Sequence, residues 1–288
     1  MIILKYMTSS CEEERIGFFY MEKQKLLFQF KSSRLWKDSI SLGFAIFGVV
    51  SAIFGVLGIT LSSVFKNTGK VIFATIFIVI LSYLIAVISK WWNVKSSITL
   101  RIRGIKVTVC QGDIFKEDGW KVIGVDDTFS TSEDDMIIAH SSLHGKLLKH
   151  LRDSGEIEAF EAAIDKDKRK HQLGNVKTYK DYILLVWTHL NKDNEAHIDS
   201  LNYENILRKM WTEIGRVYSG KPIVLPIIGD GITRFNRISE KPSSFYLLKC
   251  MLCTLRTSNV QINAPIKIVI YNRINEINLY NLEKISSY

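Results

Sequence analysis

Two long runs without a charged residue dominate this chain, from Ile40 to Phe65 and from Val71 to Ser89. At about 1.5 Å of rise per residue, a helix over either run comes close to or exceeds the ~30 Å hydrocarbon core of a bilayer. Helices of soluble proteins keep a polar face, and these runs have none. The pattern therefore predicts two transmembrane helices. A cleavable signal peptide is disfavoured, because its apolar region is shorter and lies nearer the N-terminus.

The short connector 66–70 makes the two predicted helices antiparallel neighbours, so both chain ends lie on one side. Lysine and arginine are dense on both outer flanks: Lys23, Lys25, Lys31, Arg34, Lys37, Lys90, Lys95, Arg101 and Arg103. The positive-inside rule then predicts that both termini are cytoplasmic. No Asp, Glu, Arg, Lys or His lies within either run, which argues against a built-in ion pathway.

Small residues recur four apart in the first run, as Gly48 with Ala52 and Ser51 with Gly55. Such pairs let membrane helices approach closely and associate. The alternative is that glycine is simply frequent in membrane helices. The pattern leaves both interpretations open.

The rest of the chain is ordinary globular sequence. Overall, 47% of the residues are hydrophobic and only 23% are charged, which excludes a disordered chain. Four cysteines in 288 residues do not make a disulfide scaffold. The net charge of +9 is not gathered into an arginine-rich stripe, so nucleic-acid binding is not expected. We divide the chain into an N-terminal cytoplasmic segment (1–38), a transmembrane hairpin (39–92) and a ligand-binding domain (93–288).

Strand and helix patterns alternate through the last of these regions. Expected strands are 98–103, 105–111, 121–126, 181–187, 223–227 and 266–271, and expected helices are 143–151, 156–168, 203–218, 242–256 and 276–285. This alternation predicts an α/β domain with a mixed, largely parallel sheet and helices on both faces. Ligands of such sheets bind beyond the carboxyl ends of the strands.

Two segments lie where that rule places a ligand. The first strand pair ends in Gly112 and Asp113, whose carboxylate could accept an exocyclic amine or could merely cap a turn. The segment Leu225 to Arg234 (LPIIGDGITR) runs from a buried strand into a glycine-rich turn. Glycine permits positive φ, so successive N–H groups can point at an anion, although a plain left-handed turn would use the same residues.

The sequences GDI and PIIGDGITR, each after a strand, resemble those of the macro domain, which binds ADP-ribose and related NAD metabolites. Ser141 to Lys146 (SSLHGK) resembles the SLHG segment of macro domains in Thoeris antiphage effectors. A two-helix membrane hairpin ahead of such a domain resembles the type II Thoeris effectors. The resemblance covers residues from about 40 to 288 and implies a three-layer α/β/α fold.

The resemblance implies a ligand-binding set and no catalytic residue or metal. Asp113 and Ile114 would receive adenine, and Tyr271 and Asn272 would pack against it. The glycine loop, from Gly229 to Thr233, would hold the diphosphate, and Asp127 to Thr131 would lie beside the distal ribose with His144 and Gly145. The full set is Asp113, Ile114, Asp127, Thr128, Phe129, Ser142, Leu143, His144, Gly145, Lys146, Pro226, Gly229, Asp230, Gly231, Ile232, Thr233, Arg234, Tyr271 and Asn272.

One segment departs from ordinary macro domains. Where they carry Asn-Ala-Ala-Asn and a glycine run, this chain has Gly124-Val-Asp-Asp-Thr128. The asparagine and flexible loop that position water in de-ADP-ribosylating macro domains are therefore missing. The departure favours a receptor that holds its ligand without cleaving it.

Other candidate sites are weaker. Cys250 and Cys253 have CxxC spacing but lack a second pair, and they fall in a predicted core helix. His140 and His144 would need a third ligand to hold a metal. Asp126 and Asp127 could form an acid–base pair, but adjacent side chains on an extended segment point opposite ways.

The expected function follows from the resemblance: a bacterial inner-membrane, multi-pass antiphage effector. Its macro domain would sense an NAD-derived nucleotide made by a TIR-domain enzyme, and homo-oligomerisation would then disrupt the membrane in abortive infection. Histidine-ADP-ribose is the expected ligand, with cyclic ADP-ribose isomers as the alternative and no cofactor. A membrane-anchored ADP-ribosyl hydrolase and a scaffold for a protein partner are the rival functions.

Overall fold

The computed structural model describes residues 30, 32–94, 97–131, 138–164, 170–191, 195–236, 240–271 and 277–282. The chain separates into two compact units. One comprises residues 1–98 and 278–282, and the other comprises residues 99–277 and 283–288.

The first unit is a helical hairpin of α1 (Ser33–Val56), the short α2 (Leu61–Val64) and α3 (Thr68–Val94). Ser32 caps α1, and its hydroxyl accepts a hydrogen bond from the amide of Leu35. The prediction of one helix from Ile40 to Phe65 was wrong. The helix ends at Val56, because Gly58 adopts φ +65° and turns the chain before α2.

Two helices of this unit, α1 and α3, are long and apolar enough to cross a membrane. Only 11% and 17% of their most apolar windows are buried, so neither helix is the covered core of a soluble fold. The phenyl groups of Phe44 and Phe73 are 64% and 73% exposed. An apolar surface on this scale marks contact with lipid or with another protein.

The two long helices lie close together at Gly43, where an added Cβ would lie 3.1 Å from the Cα of Tyr83. Gly48 and Gly55, from the small-residue pairs, have no atom within 4 Å of such a Cβ. The small-residue pairs therefore face away from the contact within the hairpin.

A turn of the C-terminal segment packs on the base of this hairpin. It is a 3-10 helix, Leu279–Leu282, where the sequence predicted an α-helix over 276–285. Tyr280 is buried against Leu35, Val87 and Trp91, and its hydroxyl lies 3.2 Å from the Asp38 carboxylate. The Trp91 side chain is thus buried in the protein.

The second unit is built on one sheet with the order β1-β2-β9-β7-β3-β5-β6-β8, with β4 paired to β5. The strands are β1 (Ser97–Ile102), β2 (Ile105–Gln111), β3 (Trp120–Asp126), β4 (Val176–Tyr179), β5 (Tyr182–Leu190), β6 (Ala196–Asp199), β7 (Ile223–Pro226), β8 (Arg234–Asn236) and β9 (Ile266–Ile270). Neighbours from β2 through β9, β7 and β3 to β5 pair in parallel, and β4 and β6 pair antiparallel with β5.

Helices cover both faces of this sheet. They are α4 (Leu143–Asp153), α5 (Ile157–Ala163), α6 (Tyr203–Val217) and α7 (Ser244–Thr257). Leu184 and Val186 of β5 pack in one core with α4 and α5. Their alternate neighbours Ile183 and Leu185 are also fully buried, and α6 packs against β4 and β5. The predicted α/β fold with a mixed sheet and helices on both faces is confirmed.

Candidate ligand-binding cleft

A cleft of about 670 Å³ opens at the carboxyl ends of the central parallel strands. Gly112 follows β2, Asp126 ends β3, Ile227 follows β7 and Tyr271 follows β9, and all four line it. Volumes of this size are typical of small-molecule sites. The parallel register explains the position, because the strand ends and their loops meet at one edge of the sheet.

The glycine loop forms one wall of the cleft, and every residue from Pro226 to Thr233 lines it. The Asp230 amide donates to the Ile227 carbonyl over 3.3 Å and closes the turn. Gly229 adopts φ +88°, a conformation that favours glycine. Among the described residues, no oxygen accepts a hydrogen bond from the amides of Gly229, Gly231 or Ile232. Such amides are suited to bind an anion.

The rings of Trp187, Tyr203 and Phe235 pack against this loop at Gly229 and form an aromatic platform. A Cβ added to Gly229 would lie 3.0 Å from Cζ of Phe235 and 3.3 Å from Cζ2 of Trp187. The Trp187 indole also donates to the hydroxyl of Thr233 over 3.3 Å. The backbone can lie this close to the rings because residue 229 has no side chain.

Asp113 and Tyr271 stand elsewhere along the same cleft. Asp113 caps the short 3-10 helix Ile114–Lys116, with its Oδ1 accepting from the Phe115 amide over 3.1 Å. Capping therefore uses one carboxylate oxygen, and no described residue donates a hydrogen bond to the other, Oδ2. The Tyr271 ring is half-exposed, and the ammonium of Lys146 lies 4.5 Å from its centroid. Asn272 lies outside the described residues.

At the end of β3, Asp126 lines the cleft and the next residue, Asp127, does not. The carboxylate of Asp126 accepts hydrogen bonds from the amides and hydroxyls of Thr128 and Ser130. The Asp127 carboxylate points the other way, where its Oδ2 lies 2.6 Å from Nδ1 of His189. The expected divergence of the two adjacent carboxylates is therefore observed.

The loop residues that follow Asp127, from Thr128 to Thr131, were also predicted beside the distal ribose and also lie away from the cleft lining. Thr128 folds back onto Asp126, and Phe129 is buried in the core beside His171. Phe129 reaches this position with a φ of +51°, which turns its ring inward. Asp126 therefore lines the cleft, whereas Asp127, Thr128 and Phe129 do not.

The first turn of α4 contributes Ser142, Leu143, His144 and Lys146 to the cleft. Ser142 caps the helix, its hydroxyl accepting from the Gly145 amide over 2.9 Å. Gly145 itself does not line the cleft. An added Cβ there would lie 2.5 Å from the carbonyl oxygen of Ala139, so this glycine is needed for close packing.

His144 is a buried histidine within the cleft lining. Its Nδ1 lies 3.8 Å from Oδ1 of Asp126. Burial lowers the pKa of His144 to about 4, and the nearby Asp126 carboxylate only partly opposes this. The imidazole is therefore neutral at pH 7 and presents one donor and one acceptor nitrogen.

Arg234 does not line the cleft, although the sequence placed it in the ligand-binding set. It lies on the short strand β8, and its guanidinium is 2.7 Å from the carboxylate of Glu195. Side chains alternate along a strand, so when Phe235 packs beneath the glycine loop its neighbour Arg234 points outward.

Several cleft residues were not in the predicted ligand-binding set: Gly112, Phe115, Gly124, Val125, Asp126, Ile138, Ala139, Ser141, Trp187, Thr188, Leu190, Ala196, Ile227, Ile228, Val269 and Ile270. Half of them lie in the C-terminal parts of β3, β5 and β9. A position at the end of a buried apolar run could have indicated these residues from the sequence. By that criterion Trp187 and Thr188, which follow the run DYILLV, would have been found.

The CxxC pair lies on α7, with Cys250 buried and Cys253 exposed. Burial raises the pKa of the Cys250 thiol, which disfavours the thiolate that metals and redox chemistry need. Within the described ranges, no three histidine, cysteine or acidic side chains come together as metal ligands.

The chain was compared with known proteins. The family model of the Thoeris protein ThsA macro domain matches residues 107–271. Thoeris protein ThsA of Bacillus amyloliquefaciens (strain Y2) is 28% identical over 211 residues, which are 66% of this chain and 70% of that protein.

Solved macrodomains of Oceanobacillus iheyensis are also similar. One mutant with ADPR has a TM-score of 0.40 at 16% identity, covering 66% of this chain and 100% of its own. The same macrodomain with ADP has a TM-score of 0.38 at 16% identity, covering 66% and 97%. The family match spans more than half of this chain, including the cleft from Gly112 to Tyr271. The chain therefore belongs to the Thoeris ThsA macro-domain family.

Proposed function

We propose that this protein is an antiphage defence effector whose macro domain senses an NAD-derived nucleotide and whose hairpin acts on the membrane. The observation that carries the proposal is the convergence of Asp113, Tyr271 and the glycine loop on one cleft. A carboxylate, an aromatic ring and a row of amides complement an adenine and a diphosphate within a single ligand. Family membership gives the defence context.

Each part of the cleft has a role in this proposal. The Asp113 carboxylate accepts the exocyclic amine of adenine, and the Tyr271 ring packs against the base. The amides of Gly229, Gly231 and Ile232 bind the diphosphate. Asp126 and His144 lie 3.8 Å apart in the lining, where they meet the ribose and any group attached to it.

We propose histidine-ADP-ribose as the ligand, made by a partner TIR-domain enzyme that consumes NAD. The support for this choice is the resemblance to type II Thoeris effectors, since the cleft chemistry fits any ligand with an ADP moiety. A cyclic ADP-ribose isomer is the alternative. It would retain the adenine and diphosphate contacts and change those near Asp126 and His144.

The proposed mode of action is binding without cleavage. A hydrolase would need a group in the cleft that activates water, and Asp126 is the carboxylate beside the expected ribose. Its oxygens already accept hydrogen bonds from Thr128 and Ser130, so a water molecule would have to compete with these donors for the carboxylate. Incubation with ADP-ribosylated protein tests this part. Release of ADP-ribose at a rate that Asp126→Asn abolishes would establish the hydrolase instead.

Both long helices, in this proposal, span the bacterial inner membrane with the two chain ends in the cytoplasm. Ligand binding shifts the protein toward an oligomer that breaches the bilayer, by as much as the ligand prefers that state. Labelling with an impermeant maleimide tests the orientation. A Cys introduced as Asn67→Cys should react in intact spheroplasts, whereas the exposed Cys253 should react only after lysis. The reverse pattern would refute the orientation.

Titration calorimetry of the full-length protein in detergent tests ligand binding. Histidine-ADP-ribose, ADP-ribose and adenosine are titrated into wild type, Asp113→Asn and Asp118→Asn. The Asp113 variant keeps a capping oxygen but loses the charged acceptor, which should weaken ADP-ribose binding about tenfold. Asp118, exposed and outside the cleft, is the matched control. Absence of heat with every nucleotide would contradict the proposal.

A further inference from the structure

Lys241 lies in the segment that leads into α7, outside the residues predicted as ligand-binding. Its ammonium group donates hydrogen bonds to two consecutive backbone carbonyls of the glycine loop, those of Asp230 and Gly231. The Lys241 side chain thus connects the segment before α7 to the glycine loop that lines the cleft.

The start of α7 also forms a hydrogen bond with Asp230, the acidic residue of the glycine loop. Ser244, the first residue of α7, donates its hydroxyl to Oδ1 of Asp230 over 2.7 Å. The N-terminal end of a helix carries partial positive charge, which favours a carboxylate there. The helix end therefore partly offsets the negative charge of Asp230, which makes it less repulsive to an anion in the cleft.

The carbonyl contacts of Lys241 determine where the amides of the loop point. In a trans peptide the C=O of one residue and the N–H of the next lie in one plane and point in opposite directions. The carbonyls of Asp230 and Gly231 belong to the same peptide groups as the amides of Gly231 and Ile232. When Lys241 attracts both oxygens, both amides must point away from it, and both residues line the cleft.

We propose that Lys241 is a positioning residue for the diphosphate of the ligand, acting through the orientation of the amides of Gly231 and Ile232. This inference rests on the proposed function, because it assumes that the glycine loop binds a diphosphate. Lys241 therefore affects only one part of the ligand: binding of the diphosphate depends on it, and binding of the nucleoside does not.

The test compares Lys241→Met, Lys241→Arg and the control Lys249→Met in the full-length protein. Lys249 is exposed on α7, where its ammonium lies over the ring of Phe245. Each protein is titrated with ADP-ribose and with adenosine, and its melting temperature is recorded. Lys241→Met should weaken ADP-ribose binding about tenfold and leave adenosine binding unchanged. Lys241→Arg, which keeps charged donors, should restore most of the affinity.

The outcomes separate this inference from the proposed function. If wild type does not bind ADP-ribose, the proposed function fails and this inference fails with it. If wild type binds and Lys241→Met binds equally well, only the role of Lys241 is refuted. Equal losses for ADP-ribose and adenosine, or a fall in melting temperature that Lys249→Met does not share, would show a general structural role and would also refute it.

Discussion

Replacement of Gly229 by alanine is the sharpest single test of how the glycine loop is built. The residue adopts φ +88°, and a side chain in the left-handed region costs about 1–2 kcal/mol. The new Cβ would also lie 3.0 Å from Phe235 and 3.3 Å from Trp187. Crowding of this kind costs about 1–3 kcal/mol, because the platform rings must shift.

Together these effects predict a loss of roughly 2–5 kcal/mol in the free energy of unfolding for Gly229→Ala. For a unit of this size, each kcal/mol lowers the melting temperature by about 2–4 °C, so the expected drop is roughly 4–20 °C. Thermal melts followed by circular dichroism measure it. Calorimetry with ADP-ribose should show a parallel loss of affinity.

Gly231→Ala is the matched control. Gly231 has no positive φ, and a Cβ there meets nothing within 4 Å. We expect its melting temperature to stay within about 2 °C of wild type, since surface substitutions cost little. Equal melting temperatures for the two variants would refute the account of Gly229 as a residue held against an aromatic platform.

Three further predictions concern the rest of the described chain. Burial lowers the pKa of His144 from 6.5 to about 4. The neutral His144 should therefore make its full contribution to the free energy of unfolding above pH 6.5, and this contribution should fall by about 3 kcal/mol toward pH 4. His144→Gln should flatten that dependence in pH-resolved melts, and an unchanged slope would contradict the assignment. Trp187→Phe, which removes the donor to the Thr233 hydroxyl, should cost about 1 kcal/mol in a denaturant titration, and no loss would argue against that bond. Tyr280→Ala should speed proteolysis at the C-terminal end because it empties the buried base of the hairpin, whereas Tyr280→Phe should not; equal rates would show that this contact is unimportant.

Local sequence patterns predicted much of the fold and the centre of the candidate site. Two charge-free runs indicate two long apolar helices, and the glycine loop after a buried strand indicates an edge of the sheet where ligands bind. Both inferences depend on neighbouring residues alone. The break after Val56 was missed because glycine is common in apolar helices, and only the positive φ of Gly58 reveals the turn.

The differences between the predicted ligand-binding set and the cleft lining have another origin, since they depend on contacts between distant parts of the chain. Arg234 looks like an anion ligand beside the glycine loop, but Glu195 on another segment pairs with it. Asp127 was chosen over Asp126, although only the residue at the end of β3 faces the cleft. Lys241 carries no local signal, because its role arises only when α7 packs beside the glycine loop.

Hydrogen–deuterium exchange of the full-length protein with and without ADP-ribose tests the central claim most directly. If backbone amides of the glycine loop bind the diphosphate, peptides covering residues 226–234 should exchange more slowly in the complex. Peptides from the C-terminal half of α7, around the exposed Cys253, should be unchanged and serve as the internal reference. Saturated binding of the nucleotide without slower exchange at residues 226–234 would contradict the account.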